Sequence, residues 1–214
     1  MAKKICNEEC DFIVRNYDAC VAMMACYEQA ENKVPKWIYK QLSNEIKNAV
    51  SPVKNINFKP IDYGDDFISL LPEDEYYDSE NDVGIGFYIW GITWDTLTKD
   101  KNLENNIEEY PYIALYMDFP DKLRGNNKEK WEDYKKKVIA KRKSITNELS
   151  MQSYSCTYPA DDDDGYIITK NIDNLINLEN IIADHEAAFS KTADEFVQFV
   201  NFVINNQLLQ PIPK

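Results

Sequence analysis

Between Asn55 and Asp118 the apolar residues of this chain stop recurring every three to four positions. They fall instead in short or alternating runs: "NINFKPI", "FISLL", "VGIGFYIWGI" and "YPYIALYMD". A strand sends successive side chains to opposite faces, and branched and aromatic residues fit its pleated surface. The segment therefore predicts three or four successive strands joined by turn residues. Helical spacing brackets it on both sides. Upstream, Ile13, Tyr17, Cys20, Val21 and Met24 predict a first helix that starts near Asn7 and ends near Glu31. Ile38, Leu42, Ile46 and Ala49 predict a second helix, opened by Pro35 at its first position and stopped by Pro52.

Downstream, Trp131, Tyr134, Val138, Ile145 and Leu149 predict a long central helix. "SYSCTYP" and "GYIITKNI" then read as two strands of a hairpin around "ADDDDG". Two closing helices follow, one over residues 173–189 and one from Thr192, where "TADE" has the form of a capping box. No linker or internal repeat divides the chain, so residues 1–214 are expected to form a single globular domain. This order predicts an α+β fold. It has one mainly antiparallel or mixed central sheet of about five strands, two N-terminal helices, a long central helix and two C-terminal helices.

The apolar share of 44% is enough for a chain of 214 residues to bury a core without disulfides or metals, which excludes disorder. No apolar run reaches the roughly 20 residues a membrane span needs, and "MAKKICNEEC" lacks an apolar signal core. Four of the five cysteines (Cys6, Cys10, Cys20 and Cys26) crowd into the first helical segment, which fits reduced thiols and a cytoplasmic location. A formal charge of −13 repels nucleic acid and anionic membranes and favours partners with basic surfaces.

Strands two to four, the central helix and the strand after it resemble, in element order, the restriction-endonuclease-like (PD-(D/E)xK) core. The resemblance covers about half of the chain. It implies a divergent Mg²⁺-dependent nuclease-like enzyme as an alternative, with Asp82 before "VGIGFYIW" and Asp118 in "MDFP" as the metal-holding carboxylates. The lysine of that pattern is replaced by Pro120, and Lys122 lies two residues further on.

Other motifs are incomplete. "HEAAF" has Phe189 where a zinc protease needs its second histidine, and His185 is the only histidine in the chain. Cys6, Cys10, Cys20 and Cys26 cannot converge on one zinc ion from a straight helix. Gly84 and Gly86 in "VGIGF" have no third glycine or following helix to form a dinucleotide loop, and read as marks of a bulge or a close packing contact. Placing Gly165 at position six of a calcium loop puts Ala160 at position one and Asn171 at position twelve, so both ends of the coordination shell are missing. No cofactor, metal or catalytic residue is expected.

Two charge features remain. Residues 62–82 hold nine acids and no base, with tyrosines interleaved. Asp65, Asp66, Glu73, Asp74, Glu75, Tyr76, Tyr77 and Asp78 are the candidate binding residues there, joined by Asp162, Asp163 and Asp164 at the hairpin tip. Spaced carboxylates imitate the charges of nucleic acid, and tyrosine supplies rigid amphipathic contact area. By contrast, the central helix between Lys128 and Lys143 carries eight of the 24 lysines and arginines. The expectation is a non-enzymatic protein that binds a partner with a basic surface. An inhibitor of anti-defence or immunity type, covering a nucleic-acid-binding surface, fits this description. Direct nucleic-acid binding is disfavoured. Self-association through the Lys128 to Lys143 helix and a place as a structural subunit of a phage-type assembly are the other protein-binding alternatives.

Overall fold

A computed structural model of the chain describes residues 14–50, 56–78, 83–98, 110–118, 128–155 and 165–212. At its centre is an antiparallel sheet built on strands β4 (Val83–Trp90) and β5 (Tyr112–Asp118). They pair in unbroken register from Gly84 opposite Asp118 to Trp90 opposite Tyr112. β6 (Gly165–Asn171) joins the far edge of β5, with a bulge between Leu115 and Tyr116. On the other edge of β4 lie β2 (Ile68–Leu70) and β3 (Tyr77–Asp78), joined through a short 3-10 turn (Asp74–Tyr76). β1 (Asp62–Tyr63) pairs outside β2. The order is β1-β2-β4-β5-β6, and every pair is antiparallel. The fold is α+β.

Alternation makes the sheet two-faced. Ile85, Phe87 and Ile89 of β4 and Ile113, Leu115 and Met117 of β5 are fully buried on one face. The opposite face carries Tyr88, Trp90, Tyr112, Tyr116 and Tyr166. Tyr88 and Trp90 stack in parallel at 4.4 Å, and the Tyr112 and Tyr166 hydroxyls hydrogen-bond at 2.7 Å. Gly86 lies opposite Tyr116, where a Cβ would meet the side chains of Leu71 and Tyr88, so it marks a close packing contact. β4 is followed by Gly91, where a φ of +79° and a Cβ that would lie 2.5 Å from the Tyr110 carbonyl oxygen exclude a side chain. The chain turns there into α2 (Trp94–Thr98).

Helices cover the fully buried face. The two N-terminal helical segments run as one helix, α1 (Tyr17–Ala49), with Pro35 inside it instead of at a start. Pro35 lies on the apolar stripe and is buried with Ile38, Tyr39, Leu42 and Ile46. The carbonyl that loses its donor belongs to Glu31, an exposed residue that water can reach. The Tyr39 hydroxyl accepts the Ile92 amide at 3.0 Å, tying α1 to the end of β4.

The C-terminal helices likewise form one element, α5 (Leu178–Asn205), kinked at Asp184 and not at Thr192. The Asp184 carboxylate accepts the Ala187 amide and so caps the second segment. Thr192 is buried and donates to the Ala188 carbonyl, as an interior helical residue does. Glu195, the glutamate of the expected capping box, pairs instead with Lys170 of β6. The central helix is broken at Ile145 into α3 (Lys128–Ser144) and α4 (Thr146–Met151). Tyr134, Val138, Ile145 and Leu149 join the core at the expected spacing, and the Tyr134 hydroxyl donates to the Gln210 carbonyl. Among the described residues no helix is long and apolar enough to cross a membrane.

Candidate functional site

The acidic segment folds as part of the sheet. Asp62 and Tyr63 form β1, residues 64–67 turn, and β2 returns along it, with the Gly64 amide donating to the Phe67 carbonyl at 3.0 Å. The edge position of β1 and the tight turn leave Asp62, Tyr63, Asp65 and Asp66 all exposed at the hairpin tip, Tyr63 at 45%. The tip lies beside α1, where the Asp65 carboxylate takes the Lys36 ammonium in a solvent-exposed ion pair. The apolar groups at the tip are the Tyr63 ring and the partly buried Phe67 ring, which lies against Gly64.

The remaining acids of this segment are held differently. Ile68 and Leu70 enter the core. Glu73 is half-buried and donates its amide to the Asn57 carbonyl; Glu75 is exposed, and its carbonyl accepts the Ile212 amide at 2.7 Å. Tyr76 packs against the core, where burial, with Glu75 beside it, raises its phenol pKa. Asp74 belongs to the 3-10 turn, and Tyr77 and Asp78 form β3 opposite Gly84 and Val83. Among the described side chains the exposed acids of this segment are Glu75 and the tip residues Asp62, Asp65 and Asp66; the tip gathers three of them beside Tyr63, and so adds Asp62 and Tyr63 to the expected Asp65 and Asp66.

Asp162, Asp163 and Asp164 lie outside the described residues. Ser155 and Thr169, which flank that stretch, exchange both backbone hydrogen bonds at 2.8 and 2.9 Å. Asp82, Pro120, Lys122, Cys6 and Cys10 also lie outside the described residues. Asp118 ends β5 opposite Gly84.

Cys20 and Cys26 are free thiols on α1. His185 is an exposed helix residue in ring contact with Trp37 at 5.6 Å and with Phe189 at 6.0 Å. Among the described residues no three His, Cys, Asp or Glu side chains converge as metal ligands. A hollow of about 300 Å³ sits beside the α5 kink, lined by Asn174, Asn180, Asp184 and Lys191 among others. The Asn180 amide group donates to the Asn174 and Leu175 carbonyls, so the polar wall serves the turn itself.

On α3, Lys136, Lys137 and Lys143 are exposed, whereas Arg142 is buried and its guanidinium reaches the Ile167 carbonyl at 3.4 Å. One of the eight basic residues thus supports β6.

Sequence reasoning missed a third surface. Val14, just before α1, and Tyr17, Val21, Met23, Met24 and Tyr27 of its N-terminal half are between 45% and 74% exposed. Its signal was present: helical spacing that continues the buried stripe toward the N-terminus in the same phase.

No protein-family model, curated protein or solved structure matches this chain.

Proposed function

We propose that the protein is non-enzymatic and binds a protein partner through the acidic hairpin tip, covering a basic surface that the partner uses to hold nucleic acid. The observation that carries the reading is the tip itself: three carboxylates and a tyrosine, all exposed, at one tight turn. Asp65 supports it, because that carboxylate already holds a lysine from its own chain in an exposed pair. Asp62 and Asp66 offer the same chemistry to a partner's lysines and arginines. The formal charge of −13 steers such a partner toward the molecule and repels the nucleic acid that the partner would otherwise hold.

Immobilised protein should retain a basic nucleic-acid-binding protein from a lysate of the cells that make it. The D62S/D65S/D66S variant, with unchanged thermal stability, should lose that protein, and added duplex nucleic acid should release it from the wild type. Retention of the same set by the variant would remove the tip from the interface.

A further inference from the structure

We infer that the overhanging N-terminal half of α1 is a two-fold interface with a second copy of this chain, in which the two helices pack antiparallel. This surface is separate from the hairpin tip, and the inference stands independently of the proposed function.

One apolar stripe runs the length of α1. Pro35, Ile38, Tyr39, Leu42 and Ile46 bury its C-terminal half in the core. At 3.6 residues per turn the same stripe continues through Tyr27, Met24, Val21, Cys20 and Tyr17, past an interruption at Glu31 and Glu28. There, among the described residues, it meets little of its own chain. Tyr27 touches the Trp94 ring at 5.7 Å yet stays 54% exposed, and Met24 is 64% exposed.

Val14, Tyr17, Val21, Met23, Met24 and Tyr27 at these exposures present roughly 800 Å², about what each partner contributes to a standard interface. Patches of that size on soluble proteins mark interaction sites.

The occupant follows from the pattern. The apolar positions 17, 20, 21, 23, 24 and 27 are symmetric about position 22. Reversed end for end, the helix places Tyr17 opposite Tyr27, Cys20 opposite Met24 and Val21 opposite Met23. A surface that is its own complement under reversal is what a two-fold interface requires. Charge selects the same orientation. Antiparallel pairing sets Glu28 opposite Asn16, whereas parallel pairing would stack Glu28 on Glu28 and Glu31 on Glu31.

Each copy carries a formal charge of −13, so added salt should screen the repulsion between the two bodies and tighten the dimer. Pairing of the basic α3 face with an acidic patch would respond in the opposite sense.

Sedimentation velocity of the full chain, from about 1 to 200 µM at low and high salt, tests this. The expected result is a monomer–dimer equilibrium that tightens with salt and is at least tenfold weaker in M24E, whose helical circular dichroism should match the wild type. In a background whose only other cysteine is Cys20, M24C should cross-link as a dimer on mild oxidation, and adding C20S should abolish the link. A monomer at every concentration, a dimer that M24E leaves intact, weakening by salt, or a cross-link that survives C20S would each overturn the inference.

Discussion

Leu42 and Met24 sit on the same stripe of the same helix, and the structure assigns them opposite roles. Leu42 is fully buried in the core, whereas Met24 is 64% exposed. Leu42→Ala removes three carbons from a closed site: the lost transfer free energy is about 2 kcal/mol, and the cavity adds to it, giving roughly 3 kcal/mol. For a chain of this size that lowers the melting temperature by about 6–12 °C. Met24→Ala removes side-chain atoms that already face water and replaces methionine with a better helix former, so it should stay within about 0.5 kcal/mol.

Urea unfolding followed by far-ultraviolet circular dichroism reads both. The protein must be dilute, because a dimer would stabilise the folded state by mass action. The two variants should share the wild-type slope and differ in midpoint. If Met24→Ala cost as much as Leu42→Ala at dilution, the N-terminal half of α1 would be packed within its own chain. The division of the stripe would then be wrong.

Tyr39→Phe leaves the Ile92 amide buried without its acceptor and should cost about 1–3 kcal/mol by the same assay. Lys170→Met strands the mostly buried Glu195 carboxylate and removes an ammonium lying 5.2 Å from the centre of the Tyr154 ring. It should destabilise by about 2 kcal/mol, and much of the loss should return in K170M/E195L, a recovery that a double-mutant cycle measures. Burial raises the phenol pKa of Tyr39 and Tyr134, and burial with Glu195 nearby pushes Tyr154 up to about 12. The unfolded chain loses these protons first, near pH 10, so their contribution is complete below about pH 10 and falls away through pH 12. Tyrosinate absorbance from this group should appear together with loss of circular dichroism. Ionisation of all 14 tyrosines near pH 10 in a folded protein would contradict it.

The strands were legible because Ile85, Phe87 and Ile89 alternate with Gly86, Tyr88 and Trp90, and nothing else satisfies a period of two. Helix boundaries were less legible, for local reasons. Pro35 suits a first turn in any peptide, yet its in-phase burial with Ile38 and Leu42 lets one helix run through it. "TADE" satisfies a capping pattern, but Thr192 continues the Phe189, Phe196 and Val200 stripe, so α5 runs through it and bends at Asp184 instead. Within the acidic segment, composition marked the whole stretch alike. Tertiary contacts separate the exposed turn acids Asp65 and Asp66 from half-buried Glu73, bonded to the Asn57 carbonyl, and Tyr76, packed on the core. The overhang of α1 was readable as a stripe, but its exposure depends on where the rest of the chain ends against it.

The central claim is that the hairpin tip takes the place of nucleic acid on a basic partner, and a competition titration tests it most directly. Labelled duplex bound to the retained partner should be released in proportion to added protein, and the D62S/D65S/D66S variant should fail to release it at the same concentrations. A complex in which protein and duplex occupy the partner together, or equal release by the variant, would contradict the claim.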